Sequence, residues 1–411
     1  MEVVYTHCCG LDVHKKTVVA CRITPGADGK PVKAIRTFGT MTDDLLTLAD
    51  WLAEAGVTHV AMESTGVYWQ PIYNLLEDQF TLLLVNAQHI KAVPGRKTDV
   101  QDSEWVADLL RHGLLRGSVV PARRQREVRE LTRYRTQLVQ ERVREVNRLQ
   151  KTLEGANVKL GSVASDVVGK SGREILAALV AGTEEPTVLA ALAKGRLREK
   201  RVALERALRG QFGAHQRFLV AQHLARIDEL EGHIGALSAE VAARLRPFQA
   251  ALERLDTIPG VNARIAEQIV AELGGDLSRF PTAQHLASWA GMCPGNDRSA
   301  ARRGSGKTRK GNRVLRAVLV EAAHGAARSK DTYLAVQYHR LAAKRGKKRA
   351  LVAVGHTILV IVYHLLTRGV AYQELGGGYY DERDRQAVQR RLTRRLERLG
   401  YKVTLEPAQA A

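Results

Sequence analysis

Cysteine is scarce and poorly placed for chemistry: Cys8, Cys9, Cys21 and Cys293 are the only four in 411 residues, and none stands in CxxC spacing. That excludes a disulfide framework and a zinc site with the usual ligand spacing. It points to buried thiols in a reducing compartment. Long apolar runs are missing too. The most apolar stretch, Ala350 to Leu366, is broken by Gly355, His356, Thr357 and His364, which predicts a packed core helix and no membrane span. The N-terminus carries acidic Glu2 and lacks a secretory signal core, so a cytoplasmic location is expected. There is no internal repeat and no long low-complexity tract, and 411 residues predict two or three ordinary domains with substantial cores.

Acidic residues are also short in supply, and unevenly so. Residues 1–118 hold 11 Lys and Arg against 14 Asp and Glu, a net charge of −3; with +20 overall, residues 119–411 carry +23. An acidic module joined to a basic remainder fits a division of labour in which one part holds metal and the other holds phosphates. Loose attraction to any polyanion would give the same surplus, so charge alone implies no specificity.

The acidic residues that stand alone in apolar surroundings are the most telling. Asp12 interrupts Cys8-Cys9-Gly10-Leu11-Asp12-Val13, and Glu63 closes Val57-Thr58-His59-Val60-Ala61-Met62. Asp99 and Asp102 lie three apart in Lys97-Thr98-Asp99-Val100-Gln101-Asp102, on one face of a predicted helix. There Thr98 and Gln101 have the spacing of a capping box. Four carboxylates brought together would repel unless cations neutralise them, and hard oxygen donors favour Mg²⁺ or Mn²⁺. Two such ions serve phosphodiester chemistry. Each acid taken singly reads first as a solvated surface residue. Their order along the chain argues otherwise. Residues 3–38 predict three β-rich runs, followed by a helix near Asp43 to Ala55, the strand ending at Glu63, and a helix near Tyr68 to Asp78. The strand Leu82 to Val85 and the helix with the paired aspartates complete the series. That is the element order of a ribonuclease-H-like nuclease.

Beyond Pro121 the period becomes helical. Val128, Leu131, Leu138, Val139, Val143, Val146, Leu149 and Leu153 form one stripe, with arginines including Arg133, Arg135 and Arg142 between them. Leu224, Ile227, Leu230, Ile234, Leu237, Val241 and Leu245 form a second. Two such stripes predict an antiparallel coiled-coil arm, paired within the chain or with another copy, or else a plain helical bundle. The arginines are candidates for nucleic-acid contact.

Ile258-Pro259-Gly260-Val261 separates two further predicted helices. It resembles a helix-hairpin-helix, in which Pro259 and Gly260 would bring backbone amides to a phosphate; a purely structural turn is the alternative. Then, from Ser299 to Arg316, come seven basic residues and no acid: Arg302, Arg303, Lys307, Arg309, Lys310, Arg313 and Arg316. Gly304-Ser305-Gly306-Lys307-Thr308 imitates the end of a P-loop, but Ala301 occupies the first glycine position and no apolar strand precedes it, which excludes an NTPase. A flexible basic loop on a phosphate backbone remains, carrying serines that are either solvated hydroxyls or nucleophiles.

Six segments together resemble a known family. They are Leu11-Asp12-Val13-His14-Lys15, Met62-Glu63-Ser64-Thr65-Gly66-Val67-Tyr68-Trp69, Lys97 to Asp102, Arg129-Glu130-Leu131-Thr132-Arg133-Tyr134-Arg135, Ile258 to Val261, and the loop from Pro294 to Arg316. From about Gly10 to about Tyr372 the chain resembles the DEDD-type insertion-sequence transposases guided by a bridge RNA, relatives of the Piv and MooV DNA invertases. The resemblance implies an α/β plus all-α chain. Residues 1–120 would form a RuvC-like (RNase-H-like) catalytic domain with the tetrad Asp12, Glu63, Asp99 and Asp102. Residues 121–250 would form a helical coiled-coil arm, 251–375 a helical transposase domain with the helix-hairpin-helix and serine loop, and 376–411 a basic helical tail. It also implies a nucleophilic serine followed by a small residue, which Ser299-Ala300 matches. Many members carry Ser-Gly there, so Ala300 departs slightly and Ser305-Gly306 competes; the spacing after Pro294 and before Gly311-Asn312 favours Ser299. The implied partners are double-stranded DNA at the element ends and target, a structured guide RNA, and further copies in a dimer or tetramer, in a nucleoid-associated setting. Holding metal and serine apart until assembly would confine cutting to the complete complex. A RuvC-like nuclease or junction resolvase, using the tetrad and no covalent intermediate, is the alternative.

Overall fold

The computed structural model describes residues 2–64, 66–86, 102–293, 298–299, 302–303, 308 and 310–405, with backbone alone for 298–299 and 302–303. The chain divides into two compact units, Met1–Arg123 and Arg124–Ala411.

The first unit is a five-stranded sheet in the order β3-β2-β1-β4-β5. The antiparallel strands β1 (Cys8–Val13), β2 (Thr17–Pro25) and β3 (Pro31–Gly39) come first. Helix α1 (Thr42–Glu54) leads to β4 (His59–Glu63), and α2 (Trp69–Leu76) leads to β5 (Thr81–Val85). Both of these later strands run parallel to β1. Helix α3 (Asp102–Arg111) follows. A mixed sheet continued by a parallel half, with helices on both faces, is the arrangement that the order of runs predicts.

Side-chain alternation distributes the strands between two cores. Cys9, Leu11, Val13, Val60 and Met62 pack with Leu45, Leu48 and Leu52 of α1 and with Ile72 and Leu76 of α2. Cys8, Cys21, Ile23 and Ala61 pack on the opposite face with Val106, Ala107, Leu109 and Leu110 of α3. Cys8, Cys9 and Cys21 are buried, and burial pushes the Cys8 and Cys21 thiols up, to about 12 and about 11.

The second unit is helical. Two long helices, α4 (Arg123–Gly155) and α9 (Ala214–Leu245), flank a small cluster of four helices: α5 (Leu160–Val163), α6 (Lys170–Ala181), α7 (Pro186–Ala191) and α8 (Arg201–Ala207). The long pair runs antiparallel, as its cross-links require: Glu127 meets Arg244, Arg142 meets Glu231, and Glu145 meets His223. Leu138 packs on Leu230 and Ile234 between them. The stripe is not wholly apolar inside. Val143 is 51% exposed, whereas Glu145 is buried between His223 and Arg148.

The C-terminal core gathers α10 (Gln249–Asp256), α11 (Ala263–Leu273), α12 (Ala283–Trp289), α13 (Arg313–Ala326), α14 (Tyr333–Arg345) and α15 (Lys347–Arg368). Helix α15 is the one helix among the described residues long and apolar enough to cross a membrane. Its buried face, with Val354, Ile358, Leu359 and Val362, is part of this core. A short helix, α16 (Tyr379–Arg383), and an arginine-rich one, α17 (Arg385–Glu397), are the last helices of the described chain.

Candidate active site

Asp12 and Glu63 occupy neighbouring positions. The parallel register ends with Leu11 beside Met62, so each acid is one residue further along its own strand. By alternation with Gly10 and Ala61 they share the face that carries α3. Helix α3 lies directly on β1 because residue 10 is glycine. A Cβ there would collide with the Ser103 carbonyl oxygen and stand 3.0 Å from the Ala107 Cα. The contact brings the head of the helix, and therefore Asp102, to the strand position two residues before Asp12. Asp102 is the first residue of α3, with Glu104 also in the first turn, where negative charge suits the helix dipole. Asp99, and with it the Thr98–Gln101 capping pair, lies outside the described residues.

Asp12 is partly buried, and its Oδ2 lies 3.0 Å from Nε2 of the exposed His14. Among the described residues no three His, Cys, Asp or Glu side chains come together closely enough to hold a metal. The donor chemistry nonetheless fits a hard divalent cation: carboxylate oxygens on adjacent strand positions, with a third acid at the head of the overlying helix.

The serine segment has a pinned base. Ser299 pairs in register with Arg302, and Arg298 with Arg303, in a two-residue ladder of β6 (Arg298–Ser299) and β7 (Arg302–Arg303). Ser305, Lys307 and Arg309 lie outside the described residues. Gly311 packs on Ala290 and Gly291, where a Cβ would stand 2.5 Å from the Ala290 carbonyl carbon, so the segment returns to the core beside the point where it leaves. Asn312 then caps α13, its Oδ1 accepting from the Val314 and Leu315 amides at 3.1 Å. Lys310 and Arg313 are exposed and Arg316 is half-buried around that first turn, which carries no acid. Cations at a helix N-terminus oppose its dipole, and an anion there relieves the conflict.

Glu272, absent from the candidates drawn from sequence, is the organising residue of this region. Its side chain is 1% exposed. It accepts from Arg129 Nε and Nη2 at 3.0 and 2.8 Å, from Arg133 Nε and Nη2 at 2.7 and 2.9 Å, and from Asn312 Nδ2 at 2.6 Å. Burial alone would push its carboxyl up; the hydrogen bond from Arg133, the charge of Arg129 and the bond from Asn312 hold it below the ordinary range. In the sequence Glu272 stands between Ala271 and Leu273 on an amphipathic helix that also carries Glu267, and nothing local sets it apart.

The arginines expected on a nucleic-acid face have internal partners. Arg133 is bound to Glu272 and Arg142 to Glu231. Arg135 is 3% exposed, with Glu267 at 2.6 Å. A guanidinium so enclosed is turned to Glu267 and away from the surface on which it was expected. Helices α10 and α11 flank the Pro259-Gly260 turn. Gly260 has φ +87°, and a Cβ there would strike the Ala322 carbonyl oxygen and lie 2.9 Å from the Ala326 Cα. Packing against α13 is therefore reason enough for that glycine.

Comparison with known proteins finds family matches in both units. A DEDD-type IS110 transposase family matches residues 9–158, and the transposases of the IS116/IS110/IS902 family match residues 252–340. The transposase for insertion sequence element IS1111A of Coxiella burnetii is 25% identical over 296 residues, 71% of this chain and 72% of that protein. A 43.6 kDa protein of insertion element IS110 from Streptomyces coelicolor is 32% identical over 141 residues, 34% of each chain. With family matches in both units and the element order of an RNase-H-like sheet, the chain belongs to the DEDD-type insertion-sequence transposases and is a DNA transposase.

Proposed function

We propose that this transposase cuts and rejoins DNA strands through a phosphoserine intermediate at Ser299, with Asp12, Glu63, Asp99 and Asp102 as its acidic tetrad and a structured RNA as its guide. The observation that carries the reading is the adjacency of Asp12 and Glu63 on parallel strands beneath the head of α3, in a chain whose basic segment holds a serine. The division of labour follows from it: residues 1–120 act as the RuvC-like domain, 121–250 as a coiled-coil arm, 251–375 as the serine-bearing domain and 376–411 as a basic tail.

Asp12, Glu63 and Asp102, with Asp99, would hold the divalent cation that the family requires, Mg²⁺ or Mn²⁺. When bound, that cation supplies charge neutralisation at the phosphodiester. The Ser299 hydroxyl attacks phosphorus; the Oγ–P bond forms as the bond to the deoxyribose oxygen breaks. The serine loses one proton and the leaving oxygen gains one. Because the phosphoester is kept, a second deoxyribose hydroxyl can reverse the step and join a new strand without ATP. Arg302, Arg303, Lys307, Arg309, Lys310, Arg313 and Arg316 neutralise the phosphoryl oxygens, and Pro259-Gly260 contributes backbone contact to the duplex. The +23 charge of residues 119–411 supports simultaneous binding of DNA and guide RNA. We place the complex on the nucleoid as a dimer or tetramer.

Trapping the protein on end-labelled DNA tests this directly. A denaturation-resistant adduct should form, map to Ser299 and vanish in Ser299→Ala. Ser305→Ala is the internal control: if it alone removes the adduct, the hydroxyl is the other one in the same loop. Cutting with no adduct, unaffected by either substitution, would replace this reading with a tetrad-only nuclease or junction resolvase. RNA co-purifying with the protein and required for site choice supports guidance; unchanged site choice after RNase treatment opposes it.

A further inference from the structure

Five N–H donors converge on the buried Glu272 carboxylate, two from each of Arg129 and Arg133 and one from Asn312. Burying charge this deeply is costly, and a well-packed apolar replacement is often at least as stable. A buried ionic cluster therefore suggests a need for fixed geometry, and Asn312 shows where that geometry is used. Its Nδ2 is tied to Glu272, while its Oδ1 holds the Val314 and Leu315 amides in the first turn of α13. One side chain thus links a core helix to the first turn of the helix that carries Arg313 and Arg316. The neighbouring Gly311 packs on Ala290 and Gly291 and closes the base of the same segment from the other side.

We propose that Glu272 is a positioning residue: through Asn312 it fixes the rotation of the first turn of α13, and so the direction in which Lys310, Arg313 and Arg316 meet the phosphate at the serine segment. The inference rests on the serine reading above. Arg129, through Oε2, and Arg133, through both oxygens, hold the carboxylate still and tie it to the long helix α4. Without the tether the helix keeps its N-cap oxygen and its buried face, so it still forms. Its basic side chains lose their fixed aim.

The test separates the cap from the tether. Asn312→Ser keeps a good N-cap oxygen and removes the donor to Glu272. Measured with full-length protein and labelled DNA, it should lower the single-turnover rate of adduct formation at saturating DNA about tenfold, as expected for a small misplacement of reacting groups. DNA affinity and the unfolding temperature should stay near those of the parent. Asn312→Asp should lower the rate as well, and Glu272→Gln combined with Asn312→Asp, which exchanges donor and acceptor at unchanged total charge, should recover much of it. An Asn312→Ser protein reacting at the parental rate overturns the inference, as does a rate loss that merely follows lost affinity or lost folding. Adduct lost in Ser299→Ala but unchanged in Asn312→Ser removes the positioning role alone. An adduct that survives Ser299→Ala removes the serine reading beneath it.

Discussion

Gly10 lies so close beneath Ser103 that any side chain at residue 10 would strike the Ser103 carbonyl oxygen. That contact fixes the height of α3 above β1 and with it the approach of Asp102 to the strand bearing Asp12. Gly10→Ala should force the helix outward, at a cost of about 1–3 kcal/mol typical of overpacking. Thermal unfolding should register the loss. Strand transfer should fall by more than the folded fraction accounts for, because the helix carrying Asp102 moves with it. Activity that merely follows the folded fraction would mean Asp102 has no positional role.

How legible this was depended on whether a partner was local. The sheet could be read because alternation and isolated acids are properties of a few consecutive residues: Asp12 in an apolar run, Glu63 at the end of another. The arginines of α4 could not. Periodicity shows which face a residue occupies, but Arg129, Arg133 and Arg135 are matched by Glu272 and Glu267, more than a hundred residues away. Glu272 was missed for the same reason. A single acid on an amphipathic helix reads as part of the solvated face until the helices facing it are known. Gly260 was singled out as a phosphate-binding turn, while its packing on Ala322 and Ala326 was invisible in sequence.

The basic residues should divide into two groups in a salt titration. Lys310, Arg313 and Arg316 surround an exposed helix start. Replacing all three by Gln should weaken nucleic-acid binding and reduce the slope of log K against log salt by about one for each phosphate no longer neutralised. Arg135→Gln should leave the slope unchanged and lower stability, because it strands Glu267 in the interior. A slope that falls with Arg135→Gln would mean the buried pair opens on nucleic acid.

Glu272 should give stability a defined pH window. Its folded carboxyl lies below the ordinary value of 4.5, so the ionised form is favoured by folding. The contribution is fully present above that ordinary value and is lost as pH falls through the lower folded value. Glu272→Gln should therefore cost about 3 kcal/mol at pH 7, the lower end for breaking a buried pair. The gap between parent and variant should narrow below about pH 4. Chemical denaturation at several pH values measures it, and a gap that stays constant into acid would mean that folding leaves the proton affinity of this carboxyl unchanged.

Substitution of the acids in the first unit separates charge from shape. Asp12→Asn retains an oxygen able to meet His14, the contact seen at 3.0 Å, and removes the negative charge. Glu63→Gln and Asp102→Asn do the same at the neighbouring strand position and at the helix head. If these residues hold a divalent cation, each change should abolish strand transfer and adduct formation together. Binding of DNA should remain within about threefold, since the basic surplus lies in the other unit. Chelation of divalent ions in the parent protein should reproduce the defect, and added Mn²⁺ should reverse it in the parent more fully than in the variants. Asp99→Asn should match the other three if it completes the tetrad, and should cost only stability if its role is to favour the start of α3. Asp12→Asn and Glu63→Gln proteins that still exchange strands at the parental rate, or full activity of the parent under chelation, would remove the metal from the mechanism and leave the serine to act alone.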